Sequence, residues 1–202
     1  GGDTVRTEGP MVWTVTIIGE VPKGTAVMRS GAQVGDVVGV TNYVGYAATG
    51  LGALSYNLDG YDMTKIGHQR PDPQIELGEQ LRQLGVHSMN DISDGLGSEL
   101  NEIASASNVS IVIEEKAIPL HEETYELAKY LQTNPVDYAL YGGEDFQLVF
   151  TAPKSLLSKL ENLAGITIIG EVVSGPAQVQ MVTPDKTIKT IEAKGYNHFH
   201  EG

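Results

Sequence analysis

"HSMNDISDGLGSELNEIASAS", residues 87–107, is the stretch whose reading decides the fold. Its opening, "HSMNDIS", reads as a short strand. "GLGSELNEIASAS" then places Leu96, Leu100, Ile103 and Ala104 on one helical face, with Glu99 and Glu102 outside. Asp91 and Asp94 fall where strand gives way to helix. Two carboxylates so close repel each other unless something positive sits between them. A metal, a ligand or water each answers that need, and an Asp also serves as a plain helix cap.

Working outward, strands and helices alternate. Upstream, "VVGVTN" is a short strand of the buried type. Small residues in "GYAATGLGALSYNL" let a helix pack closely on a sheet, although its glycines weaken the helix. "DGYDMTKIGHQRPDP", residues 59–73, is polar, contains two prolines and reads as a loop. "PQIELGEQLRQLG" reads as a helix, with Pro73 near its start and Gly85 past its end. Downstream, "VSIVIEE" is a strand, "HEETYELAKYLQT" a helix and "FQLVFTAP" a strand. "KSLLSKLENLAG" is a helix with Gly165 at its C-cap, and "ITIIGEV" is a strand. "AQVQMVT" and "TIKTIEA" form a hairpin around "PDK".

At the front, "MVWTVTIIGE", residues 11–20, is rich in β-formers. Met11, Trp13, Val15 and Ile17 share one face of that strand; Val12, Thr14, Thr16 and Ile18 share the other. A Gly-punctuated connector, "VPKGTAVMRSGAQVGD", follows. Alternation in the middle with antiparallel-type pieces at the ends predicts an α/β class: a mixed sheet flanked by helices.

The 202 residues suffice for a sizeable core. With 26 acidic residues against 13 basic, the net charge is −13, and no basic stripe offers a site for nucleic acid or anionic membranes. A phosphate ligand would need local N–H groups, an arginine or metal ions. The absence of cysteine excludes disulfides, thiolate nucleophiles and Cys-based zinc sites, and suits a reducing cytoplasm. No apolar run reaches the length of a membrane span. The opening "GGDTVRTEGP" reads like the middle of a protein, so the chain is expected to be a piece of a longer one.

Four loops carry chemistry: "GGD" at residues 1–3, "MRSGA" at 28–32, "DISDG" at 91–95 and "GGED" at 142–145. The last two adjoin strands, whose ends collect ligands in open α/β sheets. Carboxylates suit Mg²⁺, which prefers oxygen ligands and commonly holds phosphates as well. Arg29, in a glycine-flanked loop, suits a phosphate oxygen. Together these residue types fit nucleotide-dependent phosphoryl transfer.

Several familiar signatures are absent. There is no G-x-x-x-x-G-K-[ST], and "GYAATGLG" does not give G-x-G-x-x-G. Ile92 occupies a ligand position of the EF-hand pattern, and Tyr125 stands where a zincin needs His. Simpler readings compete. Asp91 and Asp94 are helix caps, Glu144 and Asp145 a solvated turn, Arg29 a surface residue and Trp13 a sheet residue. His198 and His200 lie at a terminus prone to fraying. The metal reading gains weight because the acidic loops occur together.

In order along the chain stand "GGDT", "RSGAQVGD", "NDISDGL", "GGEDFQLVFTAP" and "KGYNHF". This set resembles the C-terminal part of bacterial thiamine-monophosphate kinases, of the superfamily that includes aminoimidazole ribonucleotide synthase, over essentially the whole chain. The resemblance implies the C-terminal domain of the aminoimidazole ribonucleotide synthase-like fold. Residues 27–202 would form it, and residues 1–26 would be a strand-containing segment linking to an N-terminal half. It implies ATP-dependent, Mg²⁺-dependent phosphorylation of thiamine monophosphate to thiamine diphosphate by a cytoplasmic homodimer. Carried over, Gly2, Asp3, Arg29 and Ser93 contact ATP; Asp3, Asp91 and Asp94 hold Mg²⁺; Glu144 and Phe199 bind the thiamine substrate. No side chain attacks covalently; catalysis is by positioning and metal.

Tyr46, Asn197 and a longer "TVRTEGP" depart from the usual pattern. Further Mg²⁺ ligands and much of the dimer interface belong to the family's N-terminal half, so this chain alone is expected to be inactive. Two alternatives remain: a non-catalytic nucleotide-binding or regulatory module, and another ATP-using synthase of the same superfamily, against which "GGEDF" and "GYNHF" argue.

Overall fold

The computed structural model describes residues 9–11 and 13–194. Its seven-stranded sheet contains β1 (Asp36–Thr41), β2 (Ser88–Asp91), β3 (Ser110–Glu114), β4 (Leu148–Pro153), β5 (Ile166–Val173), β6 (Gln178–Val182) and β7 (Ile188–Ile191). The order across the sheet is β2-β4-β1-β5-β3-β6-β7. Among these strands only β3 and β6 pair in parallel; the other pairings are antiparallel. The helices are α1 (Tyr46–Ser55), α2 (Asp62–Gln69), α3 (Ile75–Leu84), α4 (Leu96–Ser107), α5 (Glu122–Leu131), α6 (Pro135–Tyr141) and α7 (Leu157–Leu160). This is the mixed α/β architecture expected from the sequence. No helix among the described residues is long and apolar enough to cross a membrane.

The sheet separates two cores, and β1 shows why. Side chains alternate along a strand, so Val38 and Val40 face one layer and Val37 the other. The larger core joins Val38, Val40 and Val149 to Leu96, Leu100 and Ile103 of α4 and to Ala139 and Leu140 of α6. The smaller one seats Leu81 of α3 and Leu160 of α7 against Val37, Phe150 and Ala152. Gly39 of β1 makes room there: a Cβ on it would lie 2.4 Å from the Phe150 ring.

Several local expectations need correction. Residues 11 and 13–20 form no strand, and Trp13 and Ile18 are 83% and 92% exposed. A strand needs neighbours for its N–H and C=O groups, and the described residues provide none here. Residues 59–73 are not all loop, because α2 occupies their middle. Both prolines, Pro71 and Pro73, come after its last residue. Its first turn is capped from afar: the Glu123 carboxylate accepts the N–H groups of Met63 and Thr64, at 3.3 and 2.8 Å.

Helix α6 has little apolar periodicity to announce it in so short a stretch. Pro135 opens it, and the Asn134 side chain caps it by accepting the Val136 N–H at 3.2 Å. The helix expected after β4 shrinks to a 3₁₀ turn at Lys154–Leu156 and the single turn α7. Gly165 is therefore not its C-cap. It sits farther on, at φ +82°, where its carbonyl accepts the Asn42 N–H at 2.6 Å.

Candidate functional site

Strands β2 and β4 run antiparallel with Asp91 opposite Leu148. The DISDG loop therefore leaves the sheet where the GGED loop enters it. The pairing continues past the strands. Ile92 N–H donates to the Gln147 carbonyl at 2.7 Å, Phe146 N–H to the Ile92 carbonyl at 3.0 Å, and Glu144 N–H to the Ser93 carbonyl at 2.8 Å. The glycines of both motifs permit this closeness. A Cβ on Gly143 would lie 2.1 Å from the Ser93 carbonyl oxygen. One on Gly95, itself at φ +96°, would lie 2.7 Å from that of Leu140. Glu144 and Phe146 hold left-handed backbone at φ +66° and +49°, a conformation that costs energy in residues other than glycine.

Asp91 at the end of β2, Asp94 in the loop after it and Glu144 in the facing loop are exposed, and Ser93 is half-buried. Among the described residues no three His, Cys, Asp or Glu side chains converge to hold a metal. Asp91 and Asp94 are thus at most part of a ligand set. Their chemistry fits Mg²⁺, which often takes one or two carboxylates and completes its shell with water and phosphate oxygens. Gly2, Asp3 and Phe199, with His198 and His200, lie outside the described residues.

Arg29 reaches the same edge from another direction. Met89 N–H donates to the Met28 carbonyl at 3.1 Å, laying the MRSGA loop along β2. Ser107 Oγ at the end of α4 accepts the N–H groups of Gly31 and Ala32, both at 3.1 Å. Gly31 is required because a Cβ there would lie 2.5 Å from the His87 carbonyl oxygen. Arg29 Nε donates to Asn90 Oδ1 at 3.2 Å, and its guanidinium pairs with Glu102 at 3.0 Å. The Arg29 side chain is 57% exposed, so it remains open to a ligand from solvent.

Two acidic residues are not where the sequence put them. Glu99 is buried, 3% exposed, rather than outside α4. Burial pushes its carboxyl up to about 7; nearby Glu102, Asp91 and Asp94 push the same way, and the Asp94 N–H opposes. Its spacing was a signal, since Leu96, Glu99 and Ile103 follow at intervals of three and four along the core face. Asp145 is likewise no solvated turn: it is 5% exposed. Its carboxylate accepts the N–H groups of Gly45 and Ala47, at 2.6 and 2.8 Å, and so caps α1 from the GGED loop. Burial raises it to about 6 despite those N–H groups. Beside it opens a cleft of about 330 Å³ lined by Tyr46, Met63, Ile66, Arg70, Asp72 and Gln147, among others.

The family model described as AIR synthase related protein, C-terminal domain, matches residues 33–182. The chain is 39% identical to the thiamine-monophosphate kinase of Bacillus subtilis (strain 168) over 210 residues, covering 98% of this chain and 63% of that protein. It is 35% identical to the protein of the same name from Escherichia coli (strain K12), covering 98% and 62%. A solved structure described as "AaThiL complexed with AMPPCP and TMP" superposes with a TM-score of 0.74 at 34% identity, over 86% of this chain and 54% of that one. The chain thus spans less than two thirds of the length of these relatives.

Proposed function

The chain belongs to the AIR synthase related protein family by its C-terminal domain, and from that premise we propose that it supplies one part of a split kinase site. The complete site phosphorylates thiamine monophosphate with ATP, giving thiamine diphosphate and ADP. One observation carries the reading: Arg29, Ser93, the Asp91/Asp94 pair and Glu144 share the β2 end of the sheet. Hydrogen bonds from Arg29 to Asn90 and from Glu144 to Ser93 hold them there. The relatives named above support the choice of substrate.

In this reading Arg29 and the Ser93 hydroxyl bind nucleotide phosphates, with Gly2 and Asp3. Asp91, Asp94 and Asp3 hold Mg²⁺, which when bound neutralises charge between the triphosphate and the acceptor phosphate. Glu144 faces the cationic thiazolium and Phe199 lies against its ring. The γ-phosphoryl group passes directly to a phosphate oxygen of thiamine monophosphate while its bond to the ADP oxygen breaks. No enzyme-bound intermediate forms. The residues act by orientation and charge.

Residues 27–202 form the C-terminal domain, and residues 1–26 link it to an N-terminal part that brings further ligands and a dimer interface in a cytoplasmic homodimer. The apolar, unpaired run of Met11, Trp13, Val15, Ile17 and Ile18 supports that link, because it matches a strand awaiting partners.

A binding-only module is the second reading, favoured by the lack of three converging metal-binding side chains among the described residues. An assay of the complete natural polypeptide carrying these residues, with Mg-ATP and thiamine monophosphate, separates the two. Equal yields of ADP and thiamine diphosphate are expected; nucleotide binding without product would establish the module.

A further inference from the structure

Beneath the acidic loop a continuous line of hydrogen bonds runs from Arg29 to Asp94. Arg29 Nε donates to Asn90 Oδ1 at 3.2 Å. Asn90 Nδ2 donates to Glu99 Oε2, and to Glu102 Oε2 at 3.1 Å. Glu99 Oε1 accepts the Asp94 N–H at 3.2 Å. We propose that Asn90 and Glu99 are positioning residues that couple the Arg29 guanidinium to the Asp94 peptide, so that a phosphate held at one end sets the loop at the other.

The argument rests on burial and on hydrogen-bond polarity. Asn90 and Glu99 are 8% and 3% exposed, so water does not substitute for a lost partner. An amide has one acceptor and one donor end. Glu102, a carboxylate ion-paired with Arg29, only accepts, so it compels the Asn90 NH₂ to face it, and Glu99 Oε2 lies against the same NH₂. The Asn90 oxygen is thereby turned to Arg29. Arg29 is thus held twice, at its guanidinium by Glu102 and at Nε by an Asn90 that Glu99 grips from the far side, so Glu99 bears on Arg29 without touching it. Buried polar lines of this kind act as units rather than as independent bonds.

Ordinary helix capping does not account for Glu99. Helix α4 starts at Leu96 with Gly95 at its N-cap. A capping box would join the third helical residue, Ser98, to the N–H of Gly95. Glu99 reaches past the cap to Asp94, in the loop that carries the proposed cation ligands. Its target is therefore the site rather than the helix end. Only the identity of the ligand at Arg29 rests on the kinase reading; the coupling itself does not.

Glu99→Gln keeps the shape and breaks the polarity. If the side-chain amide so introduced keeps its oxygen toward Asp94 N–H, its NH₂ meets the Asn90 NH₂. If Asn90 flips, its NH₂ meets Arg29 Nε. Adding Asn90→Asp restores the line. The new carboxylate at that position accepts from both Arg29 and the introduced amide, while half-exposed Glu102 gives up its contact with position 90 and keeps its pair with Arg29.

The experiment uses the complete natural polypeptide and two readouts. NMR follows the Arg29 Nε–H and Asp94 N–H signals, and steady-state kinetics separates KM for ATP from kcat. Glu99→Gln is expected to move both signals and to raise KM for ATP about tenfold, the loss of one charge-assisted bond. Asn90→Asp with Glu99→Gln should return the Arg29 signal and bring KM to within about threefold of wild type. Arg29→Lys, at the exposed end where folding is not at risk, should move the Asp94 N–H signal, since coupling is reciprocal. An Asp94 signal indifferent to Arg29→Lys overturns the proposal, as does a double variant no better than Glu99→Gln. If the wild-type protein phosphorylates nothing but the signals move as described, the kinase reading falls and the coupling stands.

Discussion

Gly143→Ala tests whether the two loops are held together as described. The added Cβ would lie 2.1 Å from the Ser93 carbonyl oxygen, whereas ordinary carbon-to-oxygen contact needs about 3.3 Å. The obstacle is backbone and cannot rotate away, so the loops must part by about 1 Å. The Glu144 N–H bond to Ser93, now 2.8 Å, then breaks. Losing it costs about 1 kcal/mol, and the overpacking adds about 1–3 kcal/mol. For a chain of this size the sum of roughly 2–4 kcal/mol lowers Tm by about 4–16 °C. Displacing Ser93 and Glu144 by about 1 Å should also lower turnover on the order of 10²-fold. Thermal melts of the 202-residue chain and steady-state turnover of the complete natural polypeptide measure the two effects. A Tm within about 1 °C of wild type and turnover within about twofold would refute the contact, because neither estimate allows so small a change.

Asp91→Asn and Asp94→Asn should each lower turnover strongly and leave Tm nearly unchanged, since both residues are exposed; near-normal turnover at saturating Mg²⁺ would remove them from the site. Glu144→Gln should raise KM for thiamine monophosphate more than KM for ATP, and a change confined to ATP would contradict its assignment to the thiamine side. Asp145 makes a prediction about pH. Its carboxyl rises on folding from the ordinary 3.8 to about 6, so the folded state favours the proton. Its contribution is present below pH 3.8 and is lost as pH rises through about 6, a change on the order of 3 kcal/mol. Urea unfolding of Asp145→Asn across that window should show a flatter pH dependence than wild type; an unchanged slope would assign the dependence to other groups.

What was legible in the sequence was local. The stretch around Asp91 could be read because strand, acidic loop and helix follow one another there, and the apolar spacing of Leu96, Leu100 and Ile103 is undisturbed. What was not legible depended on distant partners. Helix α2 starts where it does because Glu123 caps it, and nothing within residues 59–73 announces that. Asp145 has no local sign of burial, because the helix end it caps lies 100 residues earlier in the chain. A Glu in an amphipathic helix is usually solvated; hydrogen bonds from Asn90 and the Asp94 peptide make the burial of Glu99 tolerable. Residues 11–20 have the composition of a strand but no neighbour among the described residues, and composition does not say where a neighbour comes from. The glycines of "GGED" and "DISDG" stand out in the sequence as a pattern. Their reason, the close approach of each to a carbonyl, required the fold.

The central claim is that this chain carries one part of a split phosphoryl-transfer site, and one comparison tests it directly. The 202-residue chain and the complete natural polypeptide are supplied in parallel with Mg-ATP and thiamine monophosphate, and thiamine diphosphate is quantified over time. The account predicts steady diphosphate formation by the complete protein. For the isolated chain it predicts a rate lower by at least about 10²-fold, since the acceptor is then poorly aligned. Diphosphate formation by the isolated chain within a few-fold of the complete protein would contradict it.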